Sequence, residues 1–284
     1  MKPVLDFTGR VVLVAGAGGG GIGSAIALML AQAGARLVGV DKSATAFDAL
    51  RAALEGLGAD HHLMVADLLV PGAAVHVLDQ VEATFGPVDA LVNVVGGFQD
   101  MSQMAPLLSA NAESDFKRLL DFNLTPALTL SVALARSLKR RACRGAIVNI
   151  TSSTGQVSMP YGAGYAAAKA ALNNLTRTMA VEWGSAGIRV NAVSCGTIMS
   201  AEARRWAEGI DEVAKSAVPL GRCGEPDEIA AAVVFLLSDM ASYISGEVIG
   251  VDGGALARAP YNDSNNIPVF ITDPALHGRI MAED

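Results

Sequence analysis

The feature that most constrains this chain is a glycine-rich turn set between an apolar run and a helical pattern near its start. Val11–Ala15 reads as a buried strand. Gly16-Ala17-Gly18-Gly19-Gly20-Gly21-Ile22-Gly23 follows, and Ile22–Ala33 has the pattern of a helix. Residues 11–35 carry no charge, a length that could span a bilayer. Seven of those positions are glycine, however, six of them between Gly16 and Gly23, so the segment reads as strand, tight turn and helix and not as a membrane span. No charged n-region, apolar h-region and cleavage site suggests secretion.

The same alternation continues along the chain. Strands are predicted at Arg36–Val40, His62–Ala66, Val88–Asn93, Ala146–Thr151, Arg189–Val193 and Val248–Val251. Helices are predicted at about Thr45–Leu57, Ala73–Phe85, Glu113–Phe122, Pro126–Arg141, Gly164–Gly184 and Pro226–Ser238, with helical lid segments over about Ala201–Ala217. The strands are β-branched and apolar on both faces, as strands buried in a parallel sheet must be. Strand–helix alternation with right-handed crossovers gives an α/β fold, a single-domain, Rossmann-type doubly wound parallel sheet of seven strands flanked by helices. The domain is expected to occupy residues 1–254. Residues 255–284, rich in Pro and Asn, are expected to form an irregular extension.

Composition narrows the function. The chain has 284 residues, of which 51% are hydrophobic and only 17% charged, enough for a sizeable core. Its net charge of −7 would repel nucleic acid. The one basic cluster, Lys139-Arg140-Arg141 with Arg144, falls at an expected helix end, where cations complement the dipole. Cys143, Cys195 and Cys223 are odd in number and lack a metal-ligand rhythm, which suits a reduced, cytoplasmic protein. The four histidines form no metal-binding cluster, so no metal is expected, and His61 and His62 are expected to face solvent.

Glycine lets a pyrophosphate approach the backbone, and the helix start beyond it offers unpaired N–H groups and partial positive charge. Asp41 lies eighteen residues beyond Gly23, at the end of the second strand. A carboxylate there accepts hydrogen bonds from the adenosine ribose and repels a 2′-phosphate, which predicts NAD over NADP.

Tyr165 and Lys169 are spaced i, i+4 at the start of a helix and share a face. An ammonium near a phenol favours the phenolate, so the pair could act as a general acid/base at an alcohol oxygen. Ser152 lies thirteen residues earlier, just past the fifth strand, at the sheet edge where such folds bind ligands. Thr151 and Ser153 crowd the same edge, and small residues surround Tyr165, leaving room for a nicotinamide.

With these motifs in order, the chain resembles the short-chain dehydrogenase/reductase family over about Phe7 to Gly254. The resemblance rests on the glycine turn, Asp41, Ala66-Asp67, Asn93-Val94-Val95-Gly96, Phe122-Asn123-Leu124, Ile147 to Ser152, Tyr165-x-x-x-Lys169, Ile188 to Asn191, and Gly221-Arg222 through Val251-Asp252-Gly253-Gly254. It implies Tyr165 as the acid/base, Lys169 as the residue that lowers its pKa and holds the nicotinamide ribose, and Ser152 as the substrate-oxygen ligand. It implies that Asn123 anchors a water linking Lys169 to solvent. The dinucleotide would meet Gly16, Gly18, Gly21, Ile22, Gly23, Asp41, Asp67, Leu68, Asn93, Val94, Gly96, Tyr165, Lys169, Gly196 and Ile198, with Asp67 at the adenine and the Ile198 backbone at the carboxamide.

The chain also departs from the family pattern. The glycine turn is one residue longer than T-G-x-x-x-G-x-G, Ala15 replaces its threonine, Val94-Val95 stands for Asn-Ala, and Cys195 replaces a proline. None of these changes removes a catalytic group.

The expected activity is NAD(H)-dependent interconversion of a secondary alcohol and a ketone. Phe98, Met101, Met104, Leu107 and Leu108, with Met199, Trp206, Ile210 and Val213, suggest a medium-sized, largely apolar substrate, the rival reading being that they pack on one another. A 3-oxoacyl reductase is the alternative, although that role normally favours NADPH, which Asp41 disfavours. A non-catalytic nucleotide-binding regulator would be expected to have lost the tyrosine or the lysine. A small-molecule substrate, no nucleic-acid or membrane partner, and a homotetramer are expected.

Overall fold

The computed structural model describes residues 5–98, 104–200, 203–204 and 209–258, together with Ala275, Gly278 and Ala282. Seven parallel strands form one sheet: β1 (Val11–Ala15), β2 (Arg36–Asp41), β3 (His61–Val65), β4 (Val88–Asn93), β5 (Gly145–Ser152), β6 (Ile188–Cys195) and β7 (Val248–Val251). Their spatial order is β3-β2-β1-β4-β5-β6-β7. The order reverses between β1 and β4, which opens a crevice at the carboxyl ends of those strands.

Helices cover both faces of the sheet. They are α1 (Ile22–Gln32), α2 (Asp48–Gly56), α3 (Ala73–Thr84), α4 (Ala112–Arg140), α5 (Ala163–Trp183), α6 (Ile210–Ala217) and α7 (Pro226–Leu237). Apolar side chains on the two sides of β1, such as Val12 and Val14 on one and Leu13 on the other, enter two separate cores. One core is closed by α1 and α7, the other by α3, α4 and α5. Among the described residues, no helix is long and apolar enough to cross a membrane.

Three expectations are corrected. The helices predicted on either side of Pro126 are one 29-residue helix, α4, with Pro126 inside it. An interior proline costs about 3 kcal/mol. Here the buried stripe of Leu119, Asn123, Ala127, Leu130 and Leu134 continues across it, and packing outweighs the lost hydrogen bond. Strands β5 and β6 run on to Ser152 and Cys195, which pair with each other, so Ser152 ends the strand and does not follow it. His61 and His62 are half-buried: His61 Nδ1 lies 2.8 Å from the Ala59 carbonyl, and His62 stacks on Phe85 with ring centroids 5.9 Å apart.

The basic cluster closes the end of α4, as its charge pattern suggests. Lys139 and Arg140 occupy the last turn, while Arg141 bonds the Val88 carbonyl and lies 3.6 Å from Glu82. None of Cys143, Cys195 and Cys223 is in a disulfide.

Candidate active site

The glycine turn is built for close approach. A Cβ on Gly23 would stand 1.9 Å from the Gly16 carbonyl oxygen, so only glycine lets α1 start against the end of β1. Gly19 and Gly20 both have positive φ, +80° and +69°, with nothing within 4 Å of their Cβ positions. They form the outer arc of the lengthened turn. Ser24 ties that arc down, accepting from Gly20 N–H at 3.0 Å and donating to the Ala17 carbonyl at 2.7 Å. Gly21 is the residue before α1 and Ile22 its first residue.

Asp41 ends β2 beside this turn, and its Oδ2 accepts from the Gly18 N–H at 3.1 Å. A Cβ on Gly18 would lie 2.8 Å from that oxygen. A cavity of about 430 Å³ lies between the end of β7 and the segment after α6, with Ile198 in its wall. The one next to Asp41 measures about 310 Å³, with Lys42, Asp67, Leu68, Val94 and Gly96 in its walls. Leu68 is buried, and Asp67 is exposed with its Oδ1 accepting from Leu69 N–H at 2.9 Å. A carboxylate, a glycine turn at a helix start and an adjoining slot with both apolar and charged residues in its walls fit the adenosine and pyrophosphate of a dinucleotide.

Further along the cleft, Ile198 forms an isolated parallel bridge with Gly224. Thr197 O and Met199 N bond Gly224, which turns the Ile198 N–H to the opposite side, where it could meet a carboxamide. Gly196 packs on β7, where a Cβ would stand 2.7 Å from Asp252 Cα.

The Asn93 side chain has partners of its own. Its Nδ2 donates to Ser131 Oγ at 2.9 Å and to Asn149 Oδ1 at 2.8 Å, inside the layer between the sheet and α4. Asn149 Nδ2 in turn donates to Thr176 Oγ1 on α5 at 2.9 Å. With its amide donors committed to this buried network, Asn93 fixes the end of β4 against α4 and β5. Val94 follows at the end of β4, and its N–H bonds the Ala15 carbonyl at 2.9 Å.

Tyr165 and Lys169 do share a face of α5. Lys169 Nζ is 5.7 Å from the Tyr165 ring centroid and donates to the Ile150 carbonyl on β5 at 3.0 Å. Lys169 is 3% exposed, and burial lowers its pKa to about 8. Ser152 Oγ accepts from Thr154 N–H at 3.2 Å and from Thr154 Oγ1 at 2.9 Å. With both lone pairs taken, its proton is directed to the Tyr165 oxygen, its remaining hydrogen-bond partner.

The expected acidification of Tyr165 is not what its burial in the fold produces. Burial raises the phenol above its ordinary value and outweighs the Ser152 hydrogen bond, which pulls it down. The neighbouring Cys195 thiol is itself pushed up to about 12 by burial and stays protonated.

Asn123 is fully buried on α4. Its Oδ1 accepts from Gly97 N–H at 2.6 Å, and its Nδ2 donates to the Gly97 carbonyl at 3.0 Å and to Leu119 O at 2.9 Å. Gly96 lies between the two polar groups: a Cβ there would be 2.6 Å from Asn123 Oδ1 and 2.9 Å from Lys169 Nζ. Asn123, Ser152, Tyr165 and Lys169 thus converge on one place at the carboxyl edge of the sheet.

The sequence reading missed Thr154, which orients Ser152, because only Thr151, Ser152 and Ser153 stood out as the hydroxyl group at this edge. Thr151 instead bonds Val193 O within the sheet at 3.4 Å.

On the substrate side the outcome is mixed. Phe98 lies against Tyr165, with ring centroids 5.0 Å apart. Met199 packs with Ala214 and Cys223, and Leu108 is fully exposed. Met101, Trp206 and the expected tail from residue 259 onward, apart from three residues, lie outside the described residues; of Ile210 and Val213 only the helical backbone is described.

Fold and site together define a nucleotide-binding oxidoreductase with a tyrosine–lysine pair. A family profile described as enoyl-(acyl carrier protein) reductase matches residues 16–255. A 3-oxoacyl-[acyl-carrier-protein] reductase FabG from Thermotoga maritima is 36% identical over 251 residues, covering 88% of this chain and 99% of the relative. A solved 7α-hydroxysteroid dehydrogenase, complexed with NADH and 7-oxo glycochenodeoxycholic acid, has a TM-score of 0.80 and 31% identity over 88% of this chain and 95% of its own. A gluconate 5-dehydrogenase from Burkholderia cenocepacia, in complex with NADP and tartrate, has a TM-score of 0.81 and 30% identity over 90% and 98%. This chain belongs to the short-chain dehydrogenase/reductase family, whose members bind a nicotinamide cofactor.

Proposed function

We propose that the protein is an NAD(H)-dependent oxidoreductase that interconverts a secondary alcohol and a ketone, with a medium-sized, largely apolar substrate. The observation that carries this reading is the convergence of Ser152, Tyr165 and Lys169 beside a glycine turn whose neighbouring carboxylate is Asp41.

When bound, the nicotinamide supplies or takes a hydride at its C4. The protein's own residues manage the proton. Ser152, oriented by Thr154, can donate to the substrate oxygen in place of the phenol. Tyr165 hands its proton to that oxygen as a carbonyl is reduced and takes it back as an alcohol is oxidised. Lys169, held by the Ile150 carbonyl, stays largely protonated at neutral pH and stabilises the phenolate left behind. Small residues beside Tyr165 (Gly164, Ala166, Ala167) leave space for a ring.

NAD is favoured because Asp41 places negative charge where an NADP 2′-phosphate would sit. The similar gluconate dehydrogenase was solved with NADP and the steroid dehydrogenase with NADH, so the carboxylate and not the fold supports this choice. A panel of ketones and alcohols followed at the nicotinamide absorbance, with both cofactors side by side, tests the proposal. Turnover with NADH and an apolar ketone, abolished in Tyr165→Phe, is the expected result. The resemblance to FabG keeps a 3-oxoacyl reductase in the same panel. Preference for an acetoacetyl thioester with NADPH would replace the first reading.

A homotetramer is proposed on the strength of Val181, 83% exposed on α5, and Leu128, 36% exposed on α4. Light scattering of the purified protein would test it.

A further inference from the structure

The two glycines after β4 have backbone geometry that side chains resist, with φ of +154° at Gly96 and +111° at Gly97. Gly97 is also gripped from both sides, its N–H and its carbonyl each bonded to the Asn123 amide. Asn123 is anchored in turn to Leu119 O within α4. The next side chain is therefore aimed and not free to wander. That side chain is Phe98, whose ring meets Tyr165 at 5.0 Å between centroids and an interplanar angle of 33°.

Phe98 is half-buried and packed on the Tyr165 ring, so it keeps part of its surface accessible beside the phenol-bearing residue. A substrate oxygen that reaches Tyr165 and Ser152 brings the rest of the substrate beside the ring on which Phe98 packs. A flat apolar substituent on the reacting carbon would remove hydrocarbon surface from water on both partners. A hydroxylated substituent would leave polar groups without partners against the same ring.

We propose that Phe98, aimed by the Asn123–Gly97 clamp, is a substrate-positioning residue that selects ketones and alcohols bearing an apolar ring at the reacting carbon over small hydroxylated ones. This rests on the reading of Tyr165 as the acid/base.

The test compares wild type with Phe98→Ala and Phe98→Leu on two ketones, acetophenone and hydroxyacetone, with NADH binding followed separately by fluorescence. Wild type should prefer acetophenone. Phe98→Ala should lower the acetophenone-to-hydroxyacetone ratio of kcat/KM about tenfold, mainly through a higher KM for acetophenone. Phe98→Leu, which keeps bulk without a flat face, should fall between and guards against a misfolded alanine variant. An unchanged ratio in both variants, or an equal loss of kcat on both ketones, would overturn the proposal and leave Phe98 a cover for Tyr165. Failure of wild type to reduce any ketone despite binding NADH would overturn the oxidoreductase reading, and this proposal with it.

Discussion

The carboxylate of Asp41 accepts a hydrogen bond from the backbone N–H of Gly18 at 3.1 Å, so the end of β2 and the glycine turn hold each other in place. The group that would meet the ribose is thereby fixed to the group that would meet the pyrophosphate. Replacing Asp41 by serine removes the repulsion against a 2′-phosphate and the anchor together. The ratio of kcat/KM with NADPH to that with NADH should rise at least about tenfold. An unchanged ratio in steady-state assays would show that Asp41 does not govern the choice.

Gly23 allows no side chain, since a Cβ would stand 1.9 Å from the Gly16 carbonyl. The atoms that it would meet, in Gly16 and Ala17, belong to the main chain, so relief requires α1 to move. Gly23→Ala should cost about 3 kcal/mol or more in urea unfolding and weaken NADH binding in a fluorescence titration. Wild-type values for both would contradict the packing described for this turn.

Tyr165→Phe keeps the ring against Phe98 and removes the proton. Turnover should fall by about a hundred- to ten-thousand-fold, with NADH binding retained. A variant that keeps more than a tenth of wild-type kcat would exclude Tyr165 as the acid/base.

Lys169 gives a pH signature with a definite sign. Burial lowers its pKa from 10.5 to about 8, so the folded protein carries a penalty for the charged form below pH 8. Between pH 8 and 10.5 the unfolded chain still holds the proton while the folded one releases it, and this contribution to stability rises with pH. Wild type should therefore gain stability relative to Lys169→Met as pH increases through that window, measured by urea unfolding without cofactor. Cys195 works in the opposite direction above pH 9, because its thiol stays protonated in the fold up to about 12. The two groups also act on each other, so the comparison is made in a Cys195→Ala background, where the difference reports the lysine. A difference that stays flat with pH would mean that the ammonium is not penalised by burial.

Most of the fold could be read from the chain because each strand is a short apolar run bounded by turn residues, and runs of that kind have few other places to go. Pro126 defeated the same logic. Local propensity breaks a helix there, whereas the apolar stripe that crosses it is recognised only once the sheet and α5 are in place. The candidate site was legible where one residue type carries the chemistry, as at Tyr165, Lys169, Ser152 and Asp41. It was not legible where the role depends on partners distant in sequence. Asn123 gripping Gly97 and Asn93 facing Asn149 are contacts that no local pattern encodes. The direction of the Tyr165 pKa was misjudged for the same reason: spacing revealed the nearby cation, but not the burial that raises the phenol above its ordinary value.

The buried chain of amides from Asn93 through Asn149 to Thr176 acts as a rotational stop for α5. Thr176 stands two turns beyond Lys169, so the bond that catches its hydroxyl also sets the azimuth of the whole helix. A slip of one residue would swing each side chain by about 100° around the axis. The phenol and the ammonium would then leave the crevice together, even with every strand still paired.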